Sequence, residues 1–394
     1  MCLKICHITS VHKRFDVRIF TKECKSLASQ GYDVNLIVAD GLKDAVIDGI
    51  SIFDVGAPHR IFYRISRVFY ITYKIYRKAL KLKPDLIHFH DPELMIIGYL
   101  LSKNGYKVVY DAHEDLPKQV LAKHWIPRFL RKLTSFAAEK LERYFAKYFA
   151  GIVTATEQIA NRFKRYNQNV CAVCNYPSLN EMSHFITQTS HASNQNTPPQ
   201  FTPFQQRKNN ICYVGSISKS RGIIPLVLSL KHSQLQLELA GIFSGDISLD
   251  ELHYIDKDKL INYHGVLDRN QIIELLSNVK VGVVTLLPTP SYIESLPIKL
   301  FEYMLAGIPV VASNFPNWCN IITTHNCGVM VDPNNPMEIA DACIQLINNP
   351  DIAHEMGQNG QNAVLKYYNW ENETQKLYKF YSNVLIKYYE HIVT

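Results

Sequence analysis

Short β-branched runs recur along the chain, with longer stretches of helical periodicity between them. In the first half, Leu3 to Val11, Tyr32 to Asp40, Ile50 to Val55, Asp85 to His90, Lys107 to His113, Gly151 to Thr156 and Asn169 to Cys174 read as strands. Nearly continuous apolar runs of this length suit strands buried on both faces, which predicts a doubly wound parallel sheet. The intervening Val17 to Gln30, Ile61 to Leu82, Glu93 to Asn104 and Ile126 to Phe149 have helical length and spacing. Asp16 stands where the first of these needs an N-cap, and Gly31 where it needs a C′ residue.

The alternation stops at His184 to Asn210, a stretch of Ser, Thr, Asn, Gln and Pro too polar to bury a core, expected to be an exposed loop just past a domain boundary. It resumes with strands at Asn210 to Gly215, Gln236 to Ala240, Leu260 to Gly265, Val279 to Leu286, Pro309 to Ala312 and Gly328 to Val331. This second half reads as another Rossmann-like domain. Trp370 to Glu390 is one long helical pattern, expected to brace the two. The predicted fold class is therefore α/β, with domains at 1–175 and 176–369, a closing helix at 370–394, and a cleft facing the C-terminal ends of both sheets.

The length of 394 residues fits two or three domains. With 47% apolar and 20% charged residues and no 18-residue apolar run, collagenous, disordered and membrane-spanning classes are excluded. Lys4, His7, His12, Lys13 and Arg14 interrupt any secretory apolar segment, so a cytoplasmic location is expected. The nine cysteines read as small buried hydrophobes rather than a disulfide framework. The net charge of +7 is uneven: residues 1–175 carry 28 Lys and Arg against 16 Asp and Glu, and the remainder 14 against 19. The basic half can meet nucleic acid, an anionic membrane or a phosphorylated substrate, and charge alone does not choose among them.

Candidate chemistry concentrates in Glu294-Ser-Leu-Pro-Ile-Lys-Leu-Phe-Glu302, two carboxylates straddling a predicted helix start. Ser295 is placed to cap that helix and Pro297 suits its first turn. A helix N-terminus offers N–H groups and positive dipole to a diphosphate, while Glu302 can accept two hydrogen bonds from a ribose diol. An ordinary capped helix with solvated acids has the same spacing. His113 ends the apolar run Val108 to His113 and so reaches the cleft edge. His88 and His90 alternate on one strand face before Asp91, but the sequence offers no third convergent metal ligand. Asp256-Lys-Asp258 is expected in an exposed loop, and Cys171-x-x-Cys174 lacks the second pair of a zinc knuckle. Neither a Gly-x-Gly-x-x-Gly loop nor a Walker lysine motif occurs, which disfavours redox cofactors.

These elements carry a resemblance. The two spaced glutamates, the continuation Tyr303-Met-Leu-Ala-Gly-Ile-Pro-Val-Val311, Tyr263-His-Gly-Val266, Tyr110-Asp-Ala-His-Glu114, the opening His12 to Glu23 and the closing Asn369-Trp370 together resemble the retaining glycosyltransferases of family four. The resemblance implies a GT-B architecture and a nucleotide diphosphate sugar donor, with UDP weakly favoured and no resident cofactor or metal. It assigns sugar hydroxyls to Glu294, the ribose to Glu302, and a place beside the reacting sugar to His113. Ser295, Leu296 and Pro297 fall in the same donor element. The sequence departs from the family at Tyr213-Val-Gly-Ser-Ile-Ser-Lys-Ser-Arg-Gly222: Ser216 stands where an Arg is expected, and Arg221 where a Lys is expected. Lys219 and Lys299 are the candidates for the second charge. His12, Arg14, Asp16 and His90 are assigned to the acceptor side.

The sequence therefore predicts transfer of a sugar to a saccharide or lipid-linked saccharide, in surface polysaccharide synthesis. A non-catalytic two-domain sugar-binding protein is the rival, and nucleic acid is not expected as a partner. Arg60 to Lys83 holds eight basic residues and no acidic one. At 100° per residue Arg60, Arg64, Arg67, Lys74, Lys78 and Lys81 form a stripe opposite Phe62, Ile65, Phe69, Tyr73, Tyr76 and Leu80, with Tyr63, Tyr70 and Ile75 at its flanks. That arrangement predicts a basic face turned outward, toward solvent or an anionic membrane.

Overall fold

The computed structural model describes residues 2–59, 63, 66–123, 126–180 and 203–393. Two units account for them, Met1–Asn175 with Trp370–Thr394, and Tyr176–Asn369. The first unit holds one eight-stranded sheet in the order β3-β4-β2-β1-β5-β6-β7-β8. Its strands are β1 (Lys4–Ile8), β2 (Asp33–Val38), β3 (Ala45–Ile47), β4 (Ile50–Asp54), β5 (Leu86–Phe89), β6 (Lys107–Ala112), β7 (Gly151–Thr154) and β8 (Val170–Ala172). Every pairing is parallel except β3 with β4. That hairpin turns on Asp48 (φ 52) and Gly49 (φ 77), a two-residue turn whose twist matches its strands. β3, with three residues and none of them buried, escapes the sequence pattern.

The first predicted helix begins where expected, with both Arg18 and Ile19 N–H donating to Asp16 Oδ1. It opens, however, as a π-helix, Val17–Cys24, before continuing as the α-helix Lys25–Ser29. The wider turn directs Arg18, Lys22 and Glu23 into the interior, where all three are buried. Two seven-residue helices, Leu116–Ala122 and Glu157–Phe163, are too short for a periodicity window; Asp115 and Thr156 cap them. The closing helix Trp370–Val393 belongs to the first unit, where Trp370, Leu377, Phe380 and Tyr381 share a core with Leu36, Val109 and Val153.

The second unit holds a six-stranded, all-parallel sheet in the order β11-β10-β9-β12-β13-β14. The strands are β9 (Ile211–Val214), β10 (Leu237–Ala240), β11 (Ile261–Tyr263), β12 (Val281–Val284), β13 (Val310–Ser313) and β14 (Gly328–Val331). In each sheet the order reverses once, at β1/β5 and at β9/β12, and a crevice opens beyond the strand ends at such a point. Most of the polar stretch, 184–202, lies outside the described residues; its end, Phe204–Gln206, is a short 3-10 turn with Phe204 buried.

The basic helix departs from its predicted phase. Its described part is a π-helix, Ser66–Ile71, followed by an α-helix, Thr72–Leu82; Arg60, Phe62, Arg64 and Ile65 lie outside the described residues. The π turn resets the 100° phase, so Ile71, Ile75 and Ala79 are buried, while Phe69 and Tyr73, assigned to the core face, are exposed. Three of the cations turn inward instead of out. Arg67 Nε pairs with Glu93 Oε1 at 2.7 Å, Lys74 Nζ donates to Val55 O at 2.9 Å, and Lys78 Nζ lies 4.0 Å from the Phe53 ring centre.

Candidate active site

The donor candidates of the second unit stand together at its sheet reversal. The loop after β9 passes Gly215 and Ser216 and reaches Arg221 and Gly222. A side chain at Gly222 would place its Cβ 1.7 Å from Thr285 O at the end of β12, so this position admits glycine alone. From the other side the segment after β12 carries Glu294 into the helix Ile298–Leu305, whose N-cap is Pro297. Ser295 does not cap this helix: its hydroxyl donates to Tyr292 O at 3.0 Å, and its own carbonyl accepts from Trp318 Nε1 at 2.6 Å. Those two bonds fix the bend that holds Glu294, Ser295, Leu296 and Pro297, all half-buried.

Lys299 is the centre of the group. Its Nζ is buried with no hydrogen-bond partner, 3.4 Å from the Tyr213 ring centre and beneath Gly215, whose Cβ would lie 3.2 Å from it. Burial, then the charge of Arg221, pull the Lys299 ammonium well below its ordinary range. An anion entering here offsets the Arg221 charge and favours the ammonium form. The Arg221 guanidinium lies 5.7 Å from the Tyr292 ring centre. Lys219 is exposed, its backbone N–H donating to Asp246 Oδ2 at 3.1 Å, and Ser216 Oγ lies 2.7 Å from Ser244 Oγ. Of the two candidates for the second cation, Lys299 is the one aimed into the site. One turn on, Glu302 Oε1 accepts from Arg269 Nη1 at 2.6 Å.

In the first unit, β1, β5 and β6 end side by side, and a polar cluster fills the space beneath their tips. Asp111 lies at its centre: Arg18 grips it with Nε at 2.9 Å and Nη2 at 3.0 Å, while His90 Nδ1 and His113 Nε2 approach its Oδ2 at 3.2 and 3.1 Å. Burial alone would raise the Asp111 pKa, but Arg18 and then His113 hold it well below the usual carboxylate range. His113 keeps its outer edge 20% exposed, while the side chain of Asp111 is fully buried. Glu23 is pushed up by burial and by the Asp111 charge, and burial drops His90 to about 4. The loop after β1 closes over this cluster. His12 sits 3.0 Å from Asp16 Oδ2 and 3.5 Å from Asp91 Oδ1, and Arg14 holds Asp40 through Nε at 2.8 Å and Nη2 at 2.7 Å. A depression beside it is rimmed by the exposed apolar side chains of Val11, Phe15, Val17 and Leu42.

Two family models match the chain in tandem, Glycosyltransferase Family 4 over residues 17–175 and Glycosyl transferases group 1 over residues 194–363. The chain belongs to the family-four glycosyltransferases. Among characterised relatives, it is 23% identical over 243 residues to the D-inositol 3-phosphate glycosyltransferase of Corynebacterium jeikeium, a match covering 59% of this chain but only 57% of that relative. It is 19% identical to the capsular polysaccharide biosynthesis glycosyltransferase CapM of Staphylococcus aureus, across 97% of both. The sucrose-phosphate synthase of Thermosynechococcus elongatus superposes with a TM-score of 0.73 at 15% identity, covering 98% of this chain and all of that one, 100%. Anabaena HepE in complex with UDP gives a TM-score of 0.68 at 15% identity, covering 97% and 100%. These likenesses place the glycosyltransferase in the GT-B fold class, with two parallel-sheet α/β domains.

Some features of this glycosyltransferase correct the sequence reading. Asp256, expected in an exposed loop, is buried, and its Oδ2 accepts from Ile261 N at 2.8 Å; it serves the chain locally. All nine cysteines are free; six are buried, but Cys2 is exposed and Cys171 and Cys319 are half-buried, and only Cys6, Cys171 and Cys212 lie in strands. Sequence reasoning missed Arg269, Arg18, Glu23 and Asp111. Only Asp111 was signalled, by interrupting the apolar run of β6; at 100° per residue Arg18 and Glu23 fall on different faces, and the π-helix Val17–Cys24 is what turns both inward.

Proposed function

We propose that this glycosyltransferase moves a sugar from a nucleoside diphosphate sugar to a saccharide or lipid-linked saccharide with retention of configuration. The observation that carries the donor assignment is the buried, unbonded Lys299 ammonium beneath Gly215, with Arg221 beside it and Glu302 a turn further on. Two cations meeting at glycine backbone suit a diphosphate, and a carboxylate next to them suits a ribose diol. The UDP bound to HepE favours a uridine donor. The apolar rim around Arg14 in the first unit suits an acceptor with an apolar portion, and CapM supplies the precedent of capsular polysaccharide synthesis. In a retaining transfer on one face, the bond from the anomeric carbon to phosphate breaks as the acceptor oxygen bonds to that carbon. The acceptor proton passes to the departing phosphate oxygen. The protein's part is to orient the partners and stabilise charge, with His113 hydrogen-bonding the sugar.

Two variants separate the glutamates. Glu302→Ala weakens UDP binding by about tenfold to a hundredfold, the worth of a charged acceptor removed from a bound diol. Glu294→Ala lowers turnover and leaves UDP affinity nearly unchanged. Titration calorimetry with UDP and a donor-consumption assay read the two, and parental behaviour in both variants removes the donor assignment. A thermal-shift panel of nucleotide sugars then names the base and sugar.

With Arg221 and Lys299 neutralising the diphosphate, transfer proceeds without a metal ion at the donor. Initial rates are expected to persist in excess chelator. Loss of activity, restored at once by manganese or magnesium, refutes that arrangement.

We further propose peripheral attachment to an anionic membrane, through exposed rings with cations beside them; among the described residues no helix is long and apolar enough to cross a membrane. Phe69, Tyr70 and Tyr73 are exposed near Arg77 and Lys81, and the helix Arg128–Ala146 exposes Phe129, Leu133 and Phe136 near Lys132 and Lys140. The chain should co-sediment with acidic vesicles at low salt, and Lys132→Glu with Lys140→Glu should cut binding by about fivefold per cation. Equal binding to neutral vesicles, or none to either, disposes of the membrane reading.

A further inference from the structure

His88 and His90 gain two partners from the fold. β1 lies beside β5 and brings His7 Nδ1 to 2.9 Å from His90 Nε2. The π-helix Val17–Cys24 turns Glu23 toward the same point. The side chains of all four residues are fully buried, and their donor atoms lie within 4.8 Å of one another. The Glu23 carboxylate is divided in its duties. Oε1 faces Arg18 Nε at 3.1 Å, whereas Oε2 faces His7 Nδ1 at 3.7 Å, His90 Nε2 at 3.9 Å and His88 Nδ1 at 4.0 Å. Oε1 is held by that ion pair alone and Oε2 has no hydrogen-bond partner, although the residue is 0% exposed.

We propose that His7, Glu23, His88 and His90 bind one divalent first-row transition-metal ion, with zinc the reference occupant. Ligands about 2.0 to 2.2 Å from a tetrahedral ion stand roughly 3.3 to 3.5 Å from each other. Four of the six pairs, at 2.9 to 4.0 Å, bracket that value, and all six lie within 4.8 Å, so His88 closes on the ion by less than about 1.5 Å. Three imidazoles with one carboxylate suit zinc and its neighbours rather than magnesium or calcium, which take oxygen ligands. An outer layer is already in place. His90 turns its other nitrogen to Asp111 Oδ2 at 3.2 Å, a carboxylate fixed in turn by Arg18, and His7 Nε2 lies 3.4 Å from the Tyr381 hydroxyl. That hydroxyl is 2.5 Å from His88 Nδ1 and yields this nitrogen to the ion. Arg18 offsets one of the two buried carboxylates, Glu23 and Asp111, and the ion offsets the other. Full burial means that the ion enters during folding, ties β1, β5 and the π-helix together, and takes no part in holding the donor.

The test uses the full chain, free of any affinity tag, unfolded in denaturant with chelator and refolded with zinc or cobalt. One ion per chain by mass spectrometry, a visible ligand-field band from four-coordinate cobalt, and a higher melting temperature than the chelator-refolded chain are expected. Glu23→Gln should weaken retention by more than the roughly tenfold to hundredfold carried by outer partners. His325→Gln, in the second unit, should retain the ion. Where Glu23→Gln does not refold, the cobalt band of the unaltered chain decides. No bound ion in the refolded parent, or equal retention by Glu23→Gln, overturns the proposal.

Discussion

His113→Ala is expected to lower turnover by about tenfold to a thousandfold, the upper end being the loss of one preorganised donor from a transition state. Asp111 and His90 meet its Nε2 at 3.1 Å each, and its outer edge stays exposed, as the proposed contact with a sugar requires. UDP affinity, which the proposed function assigns to second-unit residues, should not change. The melting temperature should hold, because Arg18 continues to neutralise Asp111 once the ring is gone. A collapse in melting temperature with the loss of activity would mark His113 as part of the scaffold alone.

The largest effect on stability belongs to Arg18→Met. One buried guanidinium contacts both Asp111 and Glu23 and also donates to Val173 O at 2.8 Å. A methionine fills much of the volume but leaves two buried carboxylates without their cation. Breaking such a group from one side costs roughly 3 to 5 kcal/mol. Urea unfolding followed by a first-unit probe such as Trp370 measures the loss. A change under about 1 kcal/mol, the scale of an exposed pair, would mean that the cluster is compensated by other groups.

The alternation of apolar runs was enough to locate every parallel strand, both the fully buried ones such as β5, β7 and β12 and the half-buried β8, β11 and β14. It could not locate β3, whose only marker is the Asp48-Gly49 turn. Helix phase was the weaker inference. A fixed 100° per residue put Phe69 and Tyr73 inside and Ile75 at the flank of the basic stripe, and a single π turn at Ser66–Ile71 exchanged them. In the proposed donor site, the spacing of Glu294 and Glu302 was legible, but the preference for Lys299 over Lys219 was not. It depends on Gly215 and Tyr213, which approach Lys299 only in three dimensions. The partner of Glu302, Arg269, lies 33 positions away along the chain, beyond any motif.

The closing helix has a consequence for the order in which the protein is made. Trp370, Phe380 and Tyr381 complete the core of the first unit, yet the ribosome delivers them only after the whole second unit has emerged. At synthesis rates of about 5 to 20 residues per second, the roughly 200 residues between Asn175 and Tyr381 take on the order of 10 to 40 seconds. During that interval the second unit can fold to completion while Leu36, Val153 and the buried histidines wait without their cover. Errors of biogenesis should therefore begin in the half of the polypeptide translated first, and slowing elongation should worsen them.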